Sequence, residues 1–469
     1  MRTILLLIGC IVSNCLFSQY IKPLPPLPSK EQLAWHEKEF YLFIHFGPNT
    51  FTDKEWGEGN EDPSIFNPTA LDCEQWARIA KKAGAKGIIL TAKHHDGFCL
   101  WPSKFSTHTV RESKWMNGKG DVVKVLNEAC KKIGIEMGVY ISPWDRNHPL
   151  YGTPEYNNVY LSSMKELLTN YGKFFELWWD GANGEGPNGK KQIYDFHRFE
   201  DSAFKWQPQL VIFSDIGPSI RWCGNENGII NNTNWNLLDT AGFKRGNGGP
   251  PQDTLNRGNV NGKNWIPAEA DVSIRPGWFY HAKEDGKVKS PETLFNLYLK
   301  SVGNGGNLLL NVPPDRTGQI NAADSTSLMG FRKLREEAFL IDVFASATIS
   351  TNTSNNKYLS NLLDKKIQTY WASPQKENTQ LIVMLPKITT LNTLVLEEML
   401  TYGQRISDFT IESFNGTAYQ TIYTGTTIGR KKIASFNVQE TNKIRITIKN
   451  SKAPPVLRNI SAFLVKSLK

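Results

Sequence analysis

Cysteine is scarce in this chain, with 6 in 469 residues, and two of those, Cys10 and Cys15, lie within the first twenty positions. The others, Cys73, Cys99, Cys130 and Cys223, have spacings that fit neither a metal cluster nor the disulfide framework of a small secreted domain. They read as isolated buried thiols. Histidine is also sparse, at 8 residues, and neither His-x-His nor Glu-x-x-His occurs. That absence argues against a metallohydrolase, whose ligands must converge on one ion. No apolar run is long enough for a membrane span, which needs about 20 residues. No basic-aromatic motif supports nucleic-acid binding, although the formal charge is +9.

What is present begins with a secretory pattern. Arg2 supplies the positive start, Ile4 to Val12 an apolar stretch, and Ser18-Gln19 a cleavage point, so residues 1–18 read as a signal peptide. Secretion or a periplasmic location is expected. Lipid attachment at Cys10 or Cys15 is the alternative, although Val12-Ser13-Asn14 matches that signal poorly. The length exceeds one ordinary domain and suggests a barrel-sized unit with a smaller companion. The 14 tryptophans suit stacking on sugar rings and suit a large core equally well.

From Tyr41 onward, apolar runs alternate with helical patterns. Strands are expected at Tyr41–Phe46, Gly87–Thr91, Met137–Ile141, Phe174–Trp179 and Leu210–Ser214, as near-continuous apolar runs of the kind parallel sheets bury on both faces. Asp121 can cap a helix bearing Val122, Val125, Leu126, Ala129 and Ile133 on one face and closed by Gly134. Such units at intervals of roughly 35 to 50 residues predict a (β/α)₈-type barrel over 19–344. Periodicity fades between Gly217 and Asp271. It returns with Asp271 to Trp278, Leu308–Leu310 and a last helix through Leu328, Phe331 and Leu334. Residues 345–357 read as a linker, and 358–469 as a β-sandwich of short strands. Residues 345–469 hold 16 Lys+Arg against 7 Asp+Glu, a difference of +9 that equals the whole formal charge. A solvated face accounts for this excess, and acidic glycans are the alternative.

The expected strands end in polar residues: His45, then Lys93-His94-His95-Asp96, Tyr140, Asp180 and Asp215. Barrel topology brings strand ends to one rim, where chemistry is done. Asp180 closes Phe174-Phe175-Glu176-Leu177-Trp178-Trp179 and precedes Gly181, so its carboxylate has no packing role. Adjacent His94 and His95 at a strand end should point to opposite sides. Such a set of imidazoles, a phenol and carboxylates suits hydroxyl recognition better than metal binding. A paired glycosidase acid could be Glu185, Asp215, Glu226 or Glu269. Asp215 is expected to order its strand end and Glu269 to support the Arg275 loop.

Five blocks in order resemble the catalytic domain of family 29 glycoside hydrolases, the α-L-fucosidases. They are His45-Phe46-Gly47, Glu55-Trp56, Thr91 to Phe98, Glu176 to Gly181, and Asp271 to Trp278. The resemblance covers residues 31 to about 340. It implies a fucose pocket lined by His45, Glu55, Trp56, His94, His95, Tyr140 and Trp278, with Asp180 as nucleophile. It implies no cofactor. Arg221 to Gly228 and Gly181 to Gly186 resemble the subgroup that cleaves α1-3/4 linkages in branched glycans. That likeness selects Glu226 as acid/base and implies Lewis-type fucosylated glycans as substrates. A fucosidase of broad, α1-2 or α1-6 preference and a non-catalytic fucose-binding lectin are the alternatives; the lectin should lack the paired acids. The carboxy-terminal region resembles discoidin-like (galactose-binding-like) modules through Thr369-Tyr370-Trp371 and Tyr402 to Ile406. Some such modules hold a structural calcium, but no loop motif here shows one. The module is expected to be accessory, so truncation near Asp342 should spare the chemistry.

Overall fold

Eight short strands form the centre of the molecule. In the computed structural model, which describes residues 21–466, these are β1 (Phe40–Ile44), β2 (Gly87–Lys93), β3 (Glu136–Ile141), β4 (Glu176–Trp178), β5 (Val211–Ser214), β6 (Ile220–Trp222), β7 (Ala268–Ser273) and β8 (Asn307–Asn311). They pair in parallel in this order and close into a barrel where β8 meets β1. Strand alternation sorts the side chains. Tyr41 and Phe43 of β1 turn into the barrel with Tyr140, Trp178, Phe213 and Leu309, while Phe40, Leu42 and Ile44 face the surrounding helices.

Helix boundaries follow capping chemistry. Asp72 accepts from the Gln75 N–H at 2.7 Å and starts helix Cys73–Ala83; Asp121 accepts from Lys124 at 2.8 Å and starts Val122–Ile133. Gly84 (φ +80°) and Gly134 (φ +76°) close them in the left-handed conformation. Val125, expected on the inner face of its helix, is exposed.

The barrel departs from regular βα repetition at two places. Residues 215–219 alone join β5 to β6, without a helix. Residues 223–267 contain only the short ladder Leu237–Leu238 with Asn264–Trp265 and the helix Gln252–Arg257. These lie in the stretch where sequence periodicity fades. β6 is too short to leave a periodic signal there.

The carboxy-terminal region is an antiparallel seven-stranded sheet folded around its own apolar core. Its two longest strands, Thr379–Glu398 and Lys432–Ser451, shift register between Met384 and Thr389 and again between Leu391 and Thr393. Irregularities of this kind let a strand bend from one layer of a sandwich to the other. The strands of the sandwich, expected to be short, include these two of 20 residues each. The segment expected as a linker contributes the edge strand Thr348–Thr351, which pairs with Leu381–Met384. Trp371 is core, with its indole N–H donating to the Asn355 carbonyl at 2.9 Å, and Tyr370 is bonded to the Tyr402 hydroxyl.

The two units pack tightly. Val395, Ile433, Phe463 and Val465 of the sandwich join the barrel's outer core, and Phe339 meets Phe463 edge-on at 5.2 Å. Arg430 and Arg458 pair with Glu37 at 2.7 and 2.8 Å. Part of the sandwich's positive charge is therefore neutralised against the barrel rather than solvated.

Candidate active site

At the carboxy-terminal rim, Asp180 stands just past β4, where a barrel strand delivers a side chain to solvent. Its carboxylate accepts from the Tyr140 hydroxyl at 3.0 Å and the Ala182 N–H at 2.8 Å, with His95 Nε2 at 3.7 Å. Burial, reinforced by the Asp180 charge, pushes the Tyr140 phenol well above its ordinary pKa, so it remains a donor. At Gly181 an added side chain would displace the Asp215 carboxylate, which packs directly against this glycine.

The histidines form one wall. His45 Nδ1 is 2.8 Å from Asn311 Oδ1, and His95 Nδ1 is 2.8 Å from Ser142 Oγ. His94 and His95 do not splay apart as strand alternation predicts. The strand ends at Lys93, and beyond it the two rings lie 4.2 Å apart between centroids, with His94 stacked on Tyr140 at 5.8 Å. Burial depresses the pKa of all three imidazoles, that of His45 to about 3, and holds them neutral. Neutral imidazoles can both donate to and accept from sugar hydroxyls.

The aromatic and acidic side of the site is held by Glu55. Its carboxylate accepts from the Trp278 N–H at 2.7 Å and the Phe279 N–H at 3.2 Å, and contacts His281 Nε2 at 2.6 Å. Glu55 thus fixes the loop that presents Trp278, whose ring lies 5.2 Å from His45. Trp56 is exposed and meets His95 and Trp144 edge-on at 5.4 and 5.5 Å.

Glu226 sits at the tip of the irregular loop after β6, and the Trp278 indole N–H donates to its Oε2 at 3.2 Å. It lines the same cleft as Asp180, a space of about 310 Å³ bounded also by Trp178, Asp215, Trp222, Gln252 and Asp271. No lysine or arginine lines it. Asp215 does not order its strand end, since Ser214 makes the turn bonds to Gly217 and Ile216. Burial first, and then the Asp180 charge, raise the Asp215 carboxyl to about 6. Asp271 is raised by burial and by Glu226, and accepts from Trp222 Nε1 at 2.9 Å. Glu269 does not support the Arg275 loop. It points into the barrel interior, bonded to Tyr41 and to Trp178 Nε1, while Arg275 pairs with Asp324 and Asp285. Glu185 is exposed and lies outside the cleft wall; its carbonyl accepts from the Trp144 indole. Sequence reasoning passed over Asn311, Ser142, Trp222 and Asp271 as site residues. Asn311 and Ser142 both sit at polar ends of apolar runs, the signal that pointed to Asp180, whereas Asp271 lies inside its strand.

The α-L-fucosidase family profile matches residues 17–333. The chain belongs to the α-L-fucosidase family. It is 40% identical to "Alpha-L-fucosidase 1" of Arabidopsis thaliana over 97% of this chain and 90% of that protein. The crystal structure of SpGH29 superposes with a TM-score of 0.90 at 38% identity, over 95% of this chain and all of the other. A Ruminococcus gnavus GH29 fucosidase solved in complex with fucose superposes at 0.87 and 29% identity, over 96% and 98%. The protein is accordingly a glycoside hydrolase of α-L-fucosidase type. Among the described residues, no group of three His, Cys, Asp or Glu is placed to hold a metal ion, and no helix is long and apolar enough to cross a membrane.

Proposed function

We propose that the protein is an exported, retaining exo-α-L-fucosidase that releases fucose from α1-3/4-fucosylated glycans. The observation that carries the reading is the shared cleft. It holds Asp180, supported by neutral donors, and Glu226, held by the Trp278 indole. In the first step Asp180 attacks the anomeric carbon as the glycosidic C–O bond breaks, and Glu226 gives its proton to the departing oxygen. In the second, Glu226 as carboxylate takes a proton from water, whose oxygen displaces Asp180. Two inversions leave the anomeric configuration unchanged. His45, His94 and His95 hold the fucose hydroxyls, and Trp278 and Trp56 supply apolar faces.

Linkage rests on the likeness of residues 181–186 and 221–228 to the branched-glycan subgroup. The cleft runs from Asp180 past Gly181 to Trp222 and Gln252, which leaves room for a second sugar beside the fucose. Incubation with fucosylated oligosaccharides, following free fucose and its first-formed anomer by NMR, tests both claims. Lewis-type trisaccharides should be cleaved faster than α1-2 fucosyl-lactose, and α-L-fucose should appear first. A ranking led by the α1-2 substrate would remove the linkage assignment, and β-L-fucose first would remove the mechanism. Export is inferred from the amino-terminal pattern.

A further inference from the structure

The loop that carries Glu226 has almost no regular structure of its own. Its tip is exposed, and the acid's side chain has the Trp278 indole as its partner. Holding such a tip in one place costs conformational entropy unless its base is anchored. The barrel supplies some anchors. Asn256 Nδ2 donates to the Cys223 and Ile229 carbonyls at 2.7 and 2.9 Å.

Arg221 and the Lys300 carbonyl add to these, and the sandwich supplies a further set. Lys432 Nζ donates to the Asn232 carbonyl at 2.8 Å and to Asn304 Oδ1 at 2.9 Å; Asn304 Nδ2 in turn donates to the Ile230 carbonyl at 2.8 Å. Thr427 Oγ1 accepts from the Asn234 N–H at 2.9 Å. Gln404 bridges the same backbone, accepting from the Asn236 N–H at 2.8 Å and donating to the Asn234 carbonyl at 2.9 Å. Lys432, Thr427 and Gln404 are all at most 2% exposed. We infer that the sandwich is a working part of the hydrolytic centre, with Lys432, Thr427 and Gln404 as positioning residues for the Glu226 loop. This rests on the reading of Glu226 as acid/base.

Positioning has a signature that general destabilisation lacks. Substrates with good leaving groups need little protonation, so a displaced acid should harm them least. General acid catalysis contributes about 10²–10⁴-fold, and a displacement of about 1 Å can cost 10². In full-length Lys432→Met we expect kcat/KM on a fucosylated trisaccharide to fall by about tenfold or more. On an activated aryl fucoside the change should stay within about twofold. Thr427→Val, which removes the hydroxyl's bonds to Asn234 and Asn232 and no charge, should give the same split in milder form, and Thr427→Ser should return the wild-type ratio. The Thr427 pair decides the matter should Lys432→Met fail to fold. Glu226→Ala, run in parallel, should show the split at full size, and adding Lys432→Met to it should cost nothing more on the trisaccharide. Folded variants losing both substrates equally, or neither, while Glu226→Ala shows the split, would overturn the inference. If Glu226→Ala itself shows no split, the acid/base reading falls instead.

Discussion

Asp180 and Asp215 show how one rim gives two carboxylates different surroundings. Both follow apolar strands, yet Asp180 has the Tyr140 hydroxyl and a backbone N–H as donors, whereas Asp215 is packed against Gly181. Burial and its charged neighbour raise Asp215 to about 6, against an ordinary value of 3.8. The folded protein therefore keeps a proton that the unfolded chain gives up between those values. Stability contributed by the protonated form is present below pH 3.8 and lost as pH rises through about 6. Asp215→Asn lacks this titration. Relative to wild type it should gain on the order of 2 kcal/mol between pH 4 and pH 7. Urea unfolding at both pH values checks this, and an unchanged difference would mean that the carboxyl is ionised throughout. The sequence showed that an acid stands at this strand end but not its state, which is set by neighbours from other strands.

At the scale of elements, legibility followed chemistry that is local in sequence. The helix from Val122 was readable because Asp121 and Gly134 cap it whatever surrounds them. β1 to β5 were readable as apolar runs, and their polar ends named His45, His94, His95, Tyr140 and Asp180. β6 was not readable, because three residues set no period and one of its two partner strands, β7, lies beyond the irregular residues 223–267. Glu269 was hidden as well. It falls just inside the stretch where periodicity fades, and only barrel closure reveals that it faces Tyr41 and Trp178 rather than the rim. The Glu226 loop stands between these cases. Its identity came from likeness to a family and its geometry from contacts that a single sequence does not display.

For the whole molecule, the interface revises the accessory view of the sandwich. Phe344 lies in the sandwich core, and Asp342 accepts from the Phe344 and Ala462 N–H groups at 3.0 Å each, so a cut near Asp342 falls within a joint. Truncation there would expose the barrel surface now covered by Val395, Ile433 and Phe463, and strip Arg430 and Arg458 from Glu37. The truncated chain is predicted to unfold at a temperature lower by at least about 5 °C. Any folded fraction should cleave trisaccharides poorly. Circular dichroism melting with a parallel fucose-release assay checks both. A truncated enzyme with the wild-type melting point and full trisaccharide turnover would return the sandwich to an accessory role.

The proposed mechanism requires an Asp180 carboxylate oxygen to bond the anomeric carbon. The most direct measurement is Asp180→Gly incubated with an activated aryl α-L-fucoside and sodium azide, with the product analysed by NMR. Asp180 sits at the rim and carries no core packing, so the variant should fold. Without azide its turnover should fall by several orders of magnitude. With azide entering the space left by the carboxylate, the product should be the β-L-fucosyl azide, of inverted configuration. Near-wild-type hydrolysis by the variant, or an azide adduct of retained configuration, would contradict the assignment of Asp180 as nucleophile.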